Sequence, residues 1–325
     1  MAITGNASYI PTMNEFLSHW GLANAALAPA ALLAAMPNNT SMSRAQFETL
    51  RNLLLNQQTM VQSTLNDQQI ARGDIELKKA QLLKWLNSFN EFIEAYYQQT
   101  KFYQARPNAP GVGEGQENFT RPLVDAMTLW TKINAAPAPA GVTLPLTLAD
   151  GTSQGAFASA IAQLQFAYPL EADAAQNVAL ARIDRNAFQD TAYAAMKSYR
   201  LAVPPRLAQH PNLVAILPAL TPAPGHTPAP VNVSGIFQAP DQSKVTHAAS
   251  ADPDLKEYQL RGTIGEKYDE DDAVVIATHA PAAPHEFVTP FGLMQPGAKV
   301  ALKVFVILNT GNESGSATVL IQRPP

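Results

Sequence analysis

The groups with which this chain could do acid–base or metal chemistry are six histidines and 26 acidic residues; it has no cysteine. Without cysteine there are no disulfides, thiolate metal sites or thiol nucleophiles. His279 and His285 flank Ala-Pro-Ala-Ala-Pro, a spacing that could hold a metal pair but reads more simply as two loop histidines. Glu266, Asp269, Glu270, Asp271 and Asp272 form the densest acidic run. Carboxylate oxygens suit Ca²⁺, yet the run lacks the alternating acidic spacing and glycine that wrap an ion. It reads as a solvated turn or as an acidic patch for a basic partner. Gly111, Gly113 and Gly115 follow a proline-rich loop rather than a strand, so they predict a flexible connection and not a phosphate cradle. P-loop, HExxH and GxSxG motifs are absent. The expectation is a chain with no catalytic, cofactor-binding or metal-ligating residue, and so not an enzyme.

These residues belong to a chain of 325 residues, long enough for about two domains. It is 46% hydrophobic but only 15% charged, with a net charge of −4. That balance argues against a nucleic-acid binder. No apolar run is long enough to span a bilayer. The first 40 residues hold no Lys or Arg, so the basic start of a signal peptide is missing. A cytoplasmic protein is expected, or one exported by a route without a signal peptide.

The pattern changes at about residue 218. Residues 218–230 hold five prolines in thirteen positions, which predicts an extended, semi-rigid linker. The whole net −4 lies from residue 218 onward. Before the linker, residues 1–11 read as an extended arm, either frayed or docked on a neighbouring subunit, and residues 12–217 as a helical domain. A first helix is expected after Pro11, with Phe16, Leu17, Trp20 and Leu27 inward. The Ala-rich stretch 23–36 reads as a small-residue helix. Ser43 caps a long helix running to about residue 104, a rod of roughly 90 Å at ~1.5 Å per residue. A hairpin broken at Gly73 is the alternative. Arg72-Gly73-Asp74 lies inside this helical sequence, where it cannot form a loop tip.

Two faces of the long helix are candidate interfaces. Leu82, Leu86, Phe89, Ile93 and Tyr96 step by four and three residues, a coiled-coil-like seam. Residues 52–70 carry one charge, Asp67. Neutral polar groups are cheaper to bury than ions. Asn56, Gln57, Gln58, Gln62, Gln68 and Gln69 are therefore interface candidates alongside Leu86, Phe89, Ile93 and Tyr96. The other reading is an uncharged solvent face. Later, Leu123, Met127, Trp130 and Ile133 mark a further helix, and 156–203 another, kinked at Pro169 and stopped at Pro204.

Residues 231–323 have the length of one β-sandwich. Strands are expected at 231–237, 244–249, 258–263, 273–278, 286–289, 300–308 and 317–321, with Val300, Leu302, Val304, Val306 and Leu308 pointing one way. Leu255 with Tyr258-Gln-Leu260-Arg, Leu293-Met-Gln-Pro296-Gly297 before Val300, and Asn309 to Ser316 resemble, in order, the third strand, the turn into the sixth strand and the last turn of a fibronectin type III domain. Two departures stand out: Val300 falls where that family has a corner tyrosine, and the family's buried tryptophan in the second strand is absent. The whole chain also resembles uncharacterised bacterial proteins with a helical N-terminus and a fibronectin-like C-terminus.

The fold expected is therefore a long-helix bundle followed by a fibronectin-III-like antiparallel β-sandwich. The function expected is structural: a self-associating homo-oligomer whose helices pack between subunits while the sandwich decorates or bridges the assembly. The alternative is a binding or adhesion module that presents the sandwich to a protein or glycan.

Overall fold

The computed structural model describes residues 2–324, apart from the side chain of Asn38. Six helices come first: α1 (Tyr9–Leu27), α2 (Arg44–Tyr96), α3 (Lys101–Gln104), α4 (Gln116–Asn134), α5 (Gln154–Arg206) and α6 (Pro211–Ala215). A small hairpin, β1 (Ala34–Met36) and β2 (Thr40–Met42), sits between α1 and α2. Eight strands follow: β3 (Val233–Gln238), β4 (Gln242–His247), β5 (Leu255–Ile264), β6 (Val274–His279), β7 (Glu286–Thr289), β8 (Lys299–Leu308), β9 (Glu313–Gly315) and β10 (Val319–Gln322). The chain divides into two compact units, residues 1–66 with 177–325, and residues 67–176. The unit holding the strands thus also holds the first helices and the second half of α5.

In that unit the helical core forms around Trp20. Its ring lies 4.4 Å from Tyr199 and 5.7 Å from Phe47, and its indole N–H donates to the Leu32 carbonyl at 2.9 Å. An indole buried this deeply needs such an acceptor. His19 bridges Tyr199 Oη (2.7 Å) and the Leu213 carbonyl (2.8 Å), so its Nε2 donates and its Nδ1 accepts from the phenol. Burial pushes the Tyr199 hydroxyl well above the usual tyrosine range. Residues 2–11 are not an extended arm. A 3-10 turn covers Asn6–Ser8 and α1 already begins at Tyr9. Pro11 is tolerated in the first helical turn, where the N–H it lacks would have no partner. Ala2 is buried, and Ile3 N–H donates to the Leu220 carbonyl at 2.9 Å, so this segment docks on its own chain. Nor is 23–36 a helix. It stops at Leu27, two residues before Pro29, and Ala34–Met36 pairs as a strand.

Ser43 begins α2 with a reciprocal cap: its Oγ accepts from Gln46 N–H, and Gln46 Oε1 accepts from Ser43 N–H at 2.8 Å. The helix runs unbroken through Gly73. A mid-helix glycine costs about 1 kcal/mol. Here Arg72 pairs with Glu171 (2.8 Å), Asp74 with Lys78 (2.7 Å), and Ile75 is buried, which offsets that cost. The end is Tyr96, short of residue 104, because Thr100 caps a separate turn by accepting from Phe102 N–H. Helix α5 likewise passes through Pro169. That proline and Gln165 are on the exposed face, where water can satisfy the carbonyl left without a donor. The helix also includes Pro204 and Pro205, in its last turn.

In the second unit, Leu82, Leu86, Phe89 and Ile93 are fully buried. Phe89 stacks on Trp130 at 4.9 Å, and Trp130 meets Phe157 at 5.9 Å. Lys79, itself buried, donates to the carbonyls of Val112 (3.1 Å) and Glu114 (2.7 Å) and lies over the Phe119 ring. The glycine-rich connection is therefore held by one ammonium group.

The sandwich pairs β3-β4-β7 in one sheet and β10-β8-β5-β6 in the other, with β9 also on β8. All pairs are antiparallel. Val300, Leu302, Val304 and Val306 share one buried core with Val245, Tyr258, Leu260, Phe287 and Leu293. Where the corner tyrosine is missing, Gly292 makes room: at φ +67° a Cβ there would lie 2.4 Å from Val300 Cγ1. Tyr258 and Phe287 supply aromatic bulk to the core in the absence of a tryptophan.

Candidate functional site

Of the acidic run, Asp272 is not solvated. Its carboxylate is 2% exposed and is held by two arginines of α5. Arg182 Nε donates to it at 2.9 Å, Arg182 Nη2 makes a second bond, and Arg185 Nη1 lies 3.2 Å away. The Asp272 hydrogen bond is the main cause that raises the Arg182 guanidinium above its ordinary value. Gln62 of α2 donates to the Asp272 carbonyl at 2.7 Å, and Asn6 to the Asp271 carbonyl at 2.8 Å. The β5–β6 loop of the sandwich is thereby fastened to the helices of its own unit. Glu266, Asp269, Glu270 and Asp271 stay exposed. A polar cleft of about 470 Å³ opens beside this anchor, lined by Asn6, Arg182, Asn186, Gln189, Asp190 and Asp269 among others. Gln189 is 4% exposed and its Nε2 has no hydrogen-bond partner. Chemically the cleft offers carboxylates, amides and one partly open guanidinium, which suits polar recognition. No nucleophile with a neighbouring base stands in it.

The structure sorts the interface candidates. Gln58 and Gln62 are buried, Gln62 by the bond just described, and Gln57 donates to the Ala181 carbonyl. Gln68 donates to Glu171, and Gln69 is half-buried. Leu86, Phe89 and Ile93 are covered within their own unit, so they are core and not free interface. Tyr96 is 47% exposed, and Tyr97 takes the inward place expected of it. Among the polar candidates only Asn56 is exposed. It is joined on the surface by Leu53, Leu55, Thr59, Met60 and Ser63, which sequence reasoning passed over because it selected on polarity rather than on helical angle. The run from Asn52 to Asn66 contains no ionisable side chain at all.

His279 and His285, expected as two loop histidines, form one aromatic cluster with His247. His247 stacks against Tyr258 (4.4 Å), His285 (5.0 Å) and Phe287 (5.6 Å), and His279 lies on the other contact of Phe287 at 4.1 Å. His247 Nδ1–H donates to the Ala248 carbonyl at 3.0 Å, and its buried Nε2 has no partner. Burial, reinforced by His285 and His279, holds this imidazole below its ordinary range. In the proline-rich linker, His226 Nε2 meets Asp252 Oδ2 at 2.6 Å and holds that carboxyl below the usual range.

The three-plus-four strand order and the core just described are those of a fibronectin type III-like sandwich. Comparison with solved structures finds partial likenesses, each over about a third of this chain or less. The chain is similar to an Fn3-like protein from Clostridium thermocellum, at 20% identity over 31% of this chain and 97% of that one, with a TM-score of 0.25. It is also similar to the FN1-FN3 domains of chicken CNTN1, at 16% identity over 33% of each chain and a TM-score of 0.26. A third is the pectate lyase PelI from Erwinia chrysanthemi, solved in complex with tetragalacturonic acid, at 15% identity over 28% of each chain and a TM-score of 0.24. The chain thus spans about a third or less of the latter two. No protein-family model matches the sequence, and neither does any curated protein. No helix among the described residues is long and apolar enough to cross a membrane.

Proposed function

We propose that this is a non-enzymatic structural protein that self-associates through the outer face of α2, with the sandwich carried as a fixed module. The carrying observation is the face formed by Asn52, Leu53, Leu55, Asn56, Thr59, Met60 and Ser63. All are exposed, and they sit in a fifteen-residue run, 52–66, without one charge. A solvated helix face ordinarily carries Lys and Glu pairs. A surface of leucine, methionine and small neutral polar groups loses little on desolvation and can pair with a copy of itself. Sandwiches of this architecture serve binding and structural roles on many proteins, so the fold is compatible with the reading without carrying it.

Light scattering coupled to size exclusion tests the proposal. The wild-type mass should exceed 34.9 kDa and rise with concentration, while the double variant Leu55→Lys, Met60→Lys should run as a monomer of that mass. A wild-type monomer at every micromolar concentration overturns it. A second reading, a partner surface on the sandwich, is favoured by Ile236 and Val288. They are 63% and 48% exposed and lie either side of Lys244 across β3-β4-β7. Its signature is a monomer whose association with a partner is lost in Ile236→Glu.

A further inference from the structure

The structure assigns a divalent-metal site to His226, Asp252 and Asp254, where the proline-rich linker meets the loop between β4 and β5. One ligand atom from each of the three lies within 4.8 Å of both others. In a tetrahedral site with metal–ligand distances of ~2.0–2.2 Å, the ligand atoms stand roughly 3.3 Å apart. Closing the set therefore takes movements of about 1 Å. The two groups that must move are free to do so, since His226 and Asp254 are exposed.

Asp252 is the fixed member. Its side chain is 10% exposed, its Oδ1 accepts from Asp254 N–H at 3.0 Å, and its own N–H donates to Ser250 Oγ. Ser250 N–H in turn donates to the Tyr258 hydroxyl at 2.6 Å, which ties the loop to the sandwich core. Support of this kind behind a ligand fixes its orientation. Asp254 supplies the driving force. Its carboxylate has no hydrogen-bond or ion-pair partner among the described residues, yet it stands beside that of Asp252. One imidazole can bond to one of two adjacent carboxylates, whereas a divalent cation can bond to both.

The third donor is placed with equal economy. His226 is the only ionisable residue between positions 211 and 240. The linker around it is already laid on the sandwich by Ala223, whose N–H donates to the Thr310 carbonyl at 2.9 Å and whose carbonyl accepts from Asn312 Nδ2 at 3.1 Å. One imidazole nitrogen with two carboxylate oxygens suits Zn²⁺ and its neighbours better than Ca²⁺ or Mg²⁺, which prefer all-oxygen shells. With three protein ligands, the remaining positions are left to water. Bound metal would staple the linker to the sandwich.

Isothermal titration of the full chain, first stripped with chelator, with ZnCl₂ tests this, with MgCl₂ as the contrasting ion. The expected result is one tight equivalent of Zn²⁺, no comparable uptake of Mg²⁺, and at least a tenfold loss of affinity in both His226→Ala and Asp254→Asn. Asp254→Asn keeps the backbone N–H that holds Asp252, so the loop should stay folded, which circular dichroism checks. Zn²⁺ uptake that is unchanged in both variants places the metal elsewhere and overturns the assignment. So does an absence of uptake in the wild type, which leaves His226 and Asp252 as a hydrogen-bonded pair only.

Discussion

His247 is a neutral imidazole stored in a sandwich core with one nitrogen unpaired. Its pKa in the folded chain lies below the 6.5 of the free side chain. Above pH 6.5 both folded and unfolded forms are neutral and the group contributes nothing to the pH dependence. As pH falls below that value the unfolded chain takes up the proton first. Stability is then lost progressively down to the folded pKa and stays lost below it. Thermal melts of the wild type should show this loss, and His247→Phe, which keeps the ring stack without the charge, should flatten it. An equally steep acid loss in the variant would place the titration on other groups. Asp272 makes the opposite case, a buried charge that is fully paired. Asp272→Ala leaves Arg185, 4% exposed, without its carboxylate. Breaking one side of a buried pair costs about 3–5 kcal/mol. Chemical denaturation should show a drop of that order, with Glu270→Ala, on the exposed part of the same run, close to neutral.

Elements were legible where one periodicity persisted. The alternation of Val300 to Leu308 announced β8, and the four-three steps of Leu82 to Ile93 announced a buried helix face. What that face packs against was not legible, because burial in the chain's own core and burial against a second chain leave the same pattern. Trp130, which stacks on Phe89, and Phe157, which meets Trp130, lie 41 and 68 residues further on. Prolines misled in the other direction. Pro11 read as a boundary and Pro169 as a kink, but a first-turn position and an exposed face both tolerate a proline. The cation that organises the glycine-rich loop was invisible too, since Lys79 sits 32 residues before Gly111 and reads as an ordinary helical lysine. Lys79→Met keeps the apolar stem but strips the donor from the Val112 and Glu114 carbonyls. Such a loss costs about 1–3 kcal/mol. Hydrogen exchange should rise at residues 111–115 while the α4 core stays protected. Gly292 is the matching case in the sandwich, where both the left-handed backbone and the Val300 methyl exclude a side chain. Gly292→Ala should lower the sandwich's stability by about 1–3 kcal/mol. Val300→Ala in the same background should recover part of it.

At the scale of the molecule, the linker and the sandwich were expected to be a spacer and a separable module. The side chains describe a different relation inside the unit that contains them. Asp272 engages Arg182 and Arg185, Lys256 pairs with Glu15 of α1 at 2.9 Å, and Ile3, Ala223 and His226 tie both the N-terminal segment and the linker down. None of this shows in the sequence, because each contact joins positions that are tens to hundreds of residues apart. Bonds made to a buried carboxylate are lost together, so the helices and the sandwich of this unit should unfold in one step. The tryptophans make the test clean. Trp20 belongs to this unit, Trp85 and Trp130 belong to the other, and the sandwich has none. In a Trp85→Phe, Trp130→Phe background, fluorescence follows the helices alone. Gly292→Ala, placed wholly within the sandwich, should then lower the midpoint reported by Trp20 as much as the midpoint reported by β-sheet circular dichroism. If the Trp20 midpoint stays put while the sheet signal moves, the sandwich unfolds by itself and the Asp272 anchor is not what couples it. Adding Asp272→Ala should uncouple the two midpoints. That result would make the anchor the element deciding whether the sandwich is held in one place on the assembly that the α2 face is proposed to build.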